Sequence, residues 1–235
     1  MFTALILTLG CDDPGQYGYA GYDMVDHFPL DGQREWTYTN EGIAWRLNVD
    51  MLDNPVVSDT TTIHTFEYWQ ADANGVSANL LMTLDVSSDT YNGVQFHGYE
   101  VISDPIDWDT GSTDDSGDSG VTGWGPAELV SFDPPLVLAE SKMAPGDTVV
   151  TSTGGSTWTS TFKFQEPCPN NWIAGENEWS CLYVELEDGD GDLETGARIS
   201  GRYWLAPRYG MSWFQWVGDD EKWILARAEW APDDE

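Results

Sequence analysis

From Ile43 to Met51 the chain alternates without a break: Ile43, Trp45, Leu47, Val49 and Met51 are separated by Ala44, Arg46, Asn48 and Asp50. A period of two places one face of an extended strand in a core and the other in water. The pattern recurs at Ala78, Leu80, Met82, Leu84 and Val86, and at Trp158, Ser160, Phe162 and Phe164. Between such stretches stand Asp72-Ala73-Asn74-Gly75, Asn92-Gly93 and Gly154-Gly155, the residue types that tight hairpins require. No stretch carries a convincing helical period. These features predict an all-β chain: an antiparallel meander of about 10–12 strands, closed into a curved open barrel or a sandwich.

The last part of the chain is the densest in aromatics. Gly201 to Ala206 forms one strand, Pro207 breaks the ladder, Gly210 supplies a permissive backbone, and Met211 to Trp216 returns. A core of that kind has ample material, because 40% of the 235 residues are hydrophobic and 13 are Trp. Trp45, Trp69, Trp204, Trp213 and Trp216 all fall on predicted strands. On the concave side of an open barrel they would line a site for an acyl chain or a sugar; in a filled barrel they are core.

Charge narrows the partners. Forty-one acids against 9 bases leave a formal charge of -32. That excludes nucleic acid and electrostatic docking on anionic headgroups. The segment 103–123 contains a run, Asp109 to Gly120, with no apolar residue, and is expected to be a mobile acidic loop. No cofactor is called for. Calcium is the one candidate, at the alternating carboxylates Asp188, Asp190, Asp192 and Glu194. The EF-hand pattern fails there, since Leu193 stands where its Gly belongs and Ile199 where its bidentate Glu belongs, so a solvated hairpin turn is the simpler reading.

Enzyme signatures are scarce. There is no Gly-x-Ser-x-Gly elbow, and His27, His64 and His97 form no metal-binding pair, which removes the usual serine and zinc hydrolases. A polysaccharide-acting hydrolase needs only two facing carboxylates in a Trp-lined groove, and remains the alternative to a non-catalytic binding or structural module.

At the N-terminus, the apolar run Phe2 to Leu9 closes with Gly10-Cys11. It resembles a bacterial lipoprotein signal peptide, and is too short to span a bilayer as a helix. The resemblance implies a signal segment at 1–10, lipidation of Cys11, a tether at 11–27, and a single β domain at 28–232. It places the chain in the bacterial cell envelope, held to the membrane by its anchor and facing periplasm or exterior. Cys168 and Cys181 then lie in an oxidising compartment, where a disulfide would close a loop of about 14 residues and stabilise by about 3 kcal/mol. The alternatives are two unpaired thiols, or an incomplete metal site without nearby histidine.

The domain's two ends also resemble a set of uncharacterised bacterial cell-envelope lipoproteins. The matching residues are Phe28, Pro29, Leu30, Gly32, Trp36, Thr37 and Tyr38 at one end. At the other they are Cys181, Leu182, Val184, Gly201, Tyr203, Trp204, Leu205, Ala206, Pro207 and Gly210. The resemblance implies an extracytoplasmic meander similar to the open barrels of periplasmic lipoprotein carriers, holding a lipid or glycan ligand and lending no catalytic residue. The anchor is directly testable. Cys11→Ser is expected to move the protein from the membrane fraction to the soluble fraction on cell fractionation, whereas continued membrane association would count against lipidation.

Overall fold

Asn74-Gly75 and Asn92-Gly93 each turn one strand back against the next, with Gly75 and Gly93 at φ 86° and 76°. In the computed structural model the described residues are 21–30, 33–41, 43–58, 60–103, 128–168, 180–189, 198–216 and 222–230, with 33, 34, 229 and 230 described by backbone alone. The expected signal segment, Cys11, the start of the expected tether, the stretch 104–127 that holds the expected acidic loop, and Asp190, Asp192 and Glu194 lie outside the described residues.

The strands are β1 (Tyr22–Asp23), β2 (Gln33–Thr39), β3 (Arg46–Met51), β4 (Val56–Ser58), β5 (Thr61–Ala71), β6 (Ser77–Asp89), β7 (Gly93–Val101) and β8 (Glu128–Ala139). They continue with β9 (Lys142–Met143), β10 (Thr148–Thr153), β11 (Ser156–Pro167), β12 (Ser180–Asp188), β13 (Gly201–Ala206), β14 (Gly210–Trp216) and β15 (Trp223–Trp230). Among the described residues there is no helix. The all-β expectation holds, and of its two forms the barrel is the one adopted.

Every pairing is antiparallel, in the order β10-β11-β12-β13-β14-β15-β2-β3-β5-β6-β7-β8. The first long strand pairs with the last: Tyr38 opposes Leu225, and Trp36 opposes Ala228. Among the described residues the barrel has one unsealed seam, between β8 and β10. Pro134 and Pro135 within β8 have no N–H to offer a ladder. Side chains cross the seam instead. The backbone N–H of Val137 donates to Thr151 Oγ1 at 3.4 Å, and Ser160 Oγ donates to the carbonyl of Leu138. Phe132 meets Trp158 edge-on at 5.6 Å.

Aromatic rings fill the interior. Trp216 lies 5.1 Å from Tyr68 and 4.7 Å from Phe214, and Phe214 lies 5.0 Å from Tyr38. Trp45 and Trp223 meet at 5.0 Å. Some polar tips inside this mass find partners: Trp216 Nε1 donates to the Tyr203 hydroxyl at 3.0 Å, and the Tyr38 hydroxyl donates to the carbonyl of Met211 at 2.8 Å, whereas Tyr68 Oη and Trp45 Nε1 are buried without one. Cys168 and Cys181 form the expected disulfide.

Two sequence expectations shift by local irregularity. The register of β11 against β12 slips between Phe162 and Phe164, so Phe162 is buried while Phe164 is turned out and exposed. A slip between Tyr68 and Trp69 on β5 does the same to β6, where Leu81 and Met82 are buried and Ala78 is exposed. The described residues also begin inside the stretch expected to be a tether. β1 pairs with β9, and Met24 is fully buried.

Gly201 carries a strict packing constraint. Its φ is 154°, and a Cβ there would lie 2.1 Å from the carbonyl oxygen of Gln215 on the neighbouring strand. Gly201→Ala is therefore expected to cost about 3 kcal/mol and lower Tm by roughly 10 °C, read by thermal denaturation. An unchanged Tm would contradict the β13–β14 register.

Candidate functional site

The five tryptophans proposed to line one concavity divide between two faces. Trp45 and Trp216 are in the barrel interior, packed against other rings. Trp204 and Trp213 lie on the outer face, as alternation with buried Tyr203, Leu205 and Phe214 requires. They belong to a registered row across four strands: Phe164 opposes Tyr183, Tyr183 opposes Trp204, and Trp204 opposes Trp213. Tyr183 and Trp204 stack at 4.6 Å, and the Lys222 ammonium sits 4.2 Å from the Trp204 ring and 4.8 Å from that of Trp213. Trp204 Nε1 donates to Glu166 at 2.6 Å. Trp69 is elsewhere on the outer face, donating from Nε1 to Glu67 at 3.1 Å. The structure thus brings three of the five outside and two inside.

A cleft of about 990 Å³ opens instead at one end of the barrel, where three elements meet. The first is the segment before β2. Asp23 Oδ1 accepts from the N–H of Val25 at 3.1 Å and of Asp26 at 3.4 Å, and the carbonyl of Asp23 bonds His27 Nδ1 at 2.8 Å. Those bonds coil the segment into a plug that buries Met24 and stacks Phe28 on Phe66 at 6.3 Å. Beneath Phe28 the residual void is only about 10 Å³, so the plug forms a floor.

The second element is a fork. The β5–β6 ladder stops at His64 opposite Val86. Past that point β5 pairs with β4 and β6 with β7. Thr62 and His64 on one arm and Ser88, Asp89 and Thr90 on the other line the opening. Asp89 stiffens the turn that follows, accepting from the N–H of Tyr91 at 2.8 Å and of Asn92 at 2.7 Å. Burial raises the Asp89 pKa, but the bonds from Asn92 and Tyr91 outweigh it, and the carboxyl is held below its ordinary value.

The third element is the β13–β14 turn. Arg208 adopts φ 68°, a left-handed conformation rare for a bulky side chain, and its N–H donates to the carbonyl of Asp26 at 3.1 Å. Pro207 and Arg208 close the wall opposite Leu30 and Pro29.

Two polar atoms in this cleft are buried without a partner: His64 Nδ1 and Ser88 Oγ. Burial lowers the His64 pKa below the ordinary imidazole value, so the ring is neutral at neutral pH. Sequence reasoning found His64 in no metal-binding pair and did not connect it with Ser88 or Arg208. The fork that joins them depends on where a ladder ends, which no residue pattern announces.

The sequence candidates for metal fare differently. Asp188 is on β12 with Oδ1 buried, and the other three lie outside the described residues. Among the described residues no group of acids, histidines and cysteines is arranged to hold a metal ion. One row of carboxylates does stand out on the outer face. Glu35, Asp50 and Glu67 oppose one another across β2, β3 and β5. Burial, then the charges of Glu35 and Glu67, push Asp50 up to about 6. It does not line the cleft.

Comparison of the chain with family models, with curated proteins and with solved structures found no match.

Asp50 gives a pH-dependent prediction. Its proton is held more tightly in the folded state than in the unfolded one, so this group's contribution stabilises as pH falls from about 6 to about 4 and is lost as pH rises through that window. Asp50→Asn is expected to stabilise at pH 7 by on the order of 1 kcal/mol after solvent screening, with the gain vanishing near pH 4 in denaturant titrations. A gain independent of pH would show that the carboxylate row is not its source.

Proposed function

We propose that this chain is a lipid-anchored, extracytoplasmic ligand-binding module whose site is the cleft at the plugged end of the barrel. The observation that carries the reading is the pair of buried, partnerless polar atoms, His64 Nδ1 and Ser88 Oγ, in the wall of a cleft of about 990 Å³. Buried polar groups are almost always hydrogen-bonded; Tyr68 Oη and Trp45 Nε1 are unmatched in the packed interior as well, and His64 and Ser88 are set apart by lining an open cleft where a ligand has room. The volume suits a molecule of small-ligand size, and the mixture of Val25, Pro29, Leu30 and Pro207 with a few convergent polar groups is the usual make-up of such sites. The barrel interior, dense with rings, supports a ligand held at the end of the barrel rather than along its axis.

The envelope location draws support from the Cys168–Cys181 disulfide, a bond that persists in oxidising compartments, and from Cys11 after its apolar run. The acidic surface, at -32, favours neutral or cationic ligands and disfavours anionic ones. A hydrolase would need its carboxylate pair beside the ligand. The raised Asp50 lies on the outer face away from the cleft, so binding without chemistry is the better-supported role.

The test is native mass spectrometry of the full chain, released gently from cells, alongside Thr90→Trp. Thr90 is exposed at the rim, so a Trp there obstructs the cleft without disturbing the core. The expected result is a bound mass on the wild type that is absent from the variant at unchanged Tm. A bound mass that survives Thr90→Trp, or no bound mass at all, would overturn the assignment of the cleft.

A further inference from the structure

Backbone as well as side chains faces the cleft. The carbonyl of Thr65 accepts from the N–H of Leu52 at 3.0 Å, which turns the peptide groups of Thr65 toward β3. Peptide groups alternate sides along a strand, so those of Thr61 and Ile63 face β4, and those of Thr62 and His64 face β6. On the other arm the carbonyl of Leu81 accepts from the N–H of Ile102 at 2.8 Å, on the β7 side. Carried along the β6–β7 register, that alternation turns Ser87 toward Gln95 and Asp89 toward Gly93, and leaves Ser88 facing β5.

By then β5 and β6 have parted. His64–Val86 is their last rung, so the N–H and carbonyl of Thr62 and of Ser88 point into the fork with no ladder to take them up. Both residues line the cleft, and Thr62 is exposed. The seam between β8 and β10 is managed differently: hydroxyls of Thr151 and Ser160 bridge it, and Pro134 and Pro135 withhold donors. Among the described residues the fork has neither device.

We propose that the cleft receives a short extended segment of another polypeptide, added as a strand between the two arms; the inference rests on the cleft being the binding site. An extended peptide presents an N–H and a carbonyl to each side at alternate residues, the complement of Thr62 on one arm and Ser88 on the other. Val25, Pro29 and Leu30 give its side chains apolar wall to cover. A second copy of this chain is disfavoured as the occupant, because two surfaces at -32 repel.

Isothermal titration calorimetry on the full chain uses the blocked peptide acetyl-Lys-Val-Thr-Val-Lys-amide and two isomers of it N-methylated at alternate residues. One isomer is methylated at the odd positions and the other at the even ones. Methylation strips the donors from one edge and leaves charge and side chains the same. The parent peptide is expected to bind, and at least one isomer to bind about tenfold more weakly or not at all. Thr62→Pro removes a fork-facing N–H and costs the β4–β5 ladder no bond, since Thr61 and Ile63 supply that ladder. It is expected to weaken the parent peptide about tenfold at unchanged Tm, and Thr90→Trp is expected to abolish binding.

Two isomers that both bind as tightly as the parent would overturn the proposal, since recognition would then run through side chains alone. This comparison is made on the wild type, and decides the matter even where Thr62→Pro lowers Tm. Parent binding that is indifferent to Thr90→Trp, or to Thr62→Pro at native Tm, would overturn it by placing the peptide elsewhere. No binding of the parent, or a dimer of this chain in native mass spectrometry that Thr62→Pro dissociates, would overturn it too. The cleft itself stands or falls separately, on whether a mass bound in cells is lost with Thr90→Trp.

Discussion

The pairing of β2 with β15 is the constraint on which the rest of the molecule depends. It lays the first long strand of the sheet along the last, with Tyr38 opposite Leu225 and Trp36 opposite Ala228. Since the segment at 21–30 leads straight into β2, that pairing also fixes where the segment can go. It crosses the end of the barrel, buries Met24 and Phe28, and bonds through Asp26 to the turn at Arg208. Trp36 Nε1 ties the same corner by donating to the carbonyl of Tyr209 at 3.0 Å. The cleft is what remains between this plug and the diverging ends of β5 and β6.

Packing inside the barrel explains why the cleft lies at the end. Twelve strands would enclose a wide lumen if their inward side chains were small, but here they include Tyr68, Tyr203, Phe214, Trp216 and Trp223, with Trp45 packed in from the residue before β3. Rings of this size in mutual contact contribute beyond the area they bury. Their polar tips are largely served from within, as in the bond from Trp216 to Tyr203 and on to the carbonyl of Ile199. A barrel so filled is rigid in its middle. Groups also go unserved within it, at Tyr68 Oη and Trp45 Nε1, and His64 and Ser88 differ from these in adjoining the open cleft.

How much of this was legible in the sequence depends on what each feature rests upon. Strand identity is local, and the alternation from Ile43 to Met51, the Asn-Gly turns and the Gly201–Trp216 hairpin all announced themselves. The disulfide followed from compartment and cysteine count. Faces were less secure, because a single extra residue reverses them: Phe164 shares a parity with Phe162 in sequence and the opposite side of the sheet in space. The five tryptophans that seemed to share a concavity are split by alternation itself, since Trp213 and Trp216 stand three apart on one strand: Trp45 and Trp216 are within and Trp69, Trp204 and Trp213 without. The cleft was illegible for a different reason. It arises where the His64–Val86 pairing is the last rung between two strands, and from an Arg at φ 68° in a turn where the sequence pointed to Gly210. Both depend on tertiary context.

The position of the seam has an implication for how the molecule is partitioned. The chain crosses from one half of the barrel to the other between β8 and β10, and those halves are equal: β2, β3, β5, β6, β7 and β8 on one side, and β10 to β15 on the other. Each of their two junctions is closed by a different kind of bond. At one, the covalent chain spans the gap while hydroxyl groups bridge it; at the other, a backbone ladder does the joining with no covalent link. The barrel is therefore a clasp, hinged by its own polypeptide and fastened by the meeting of its two ends.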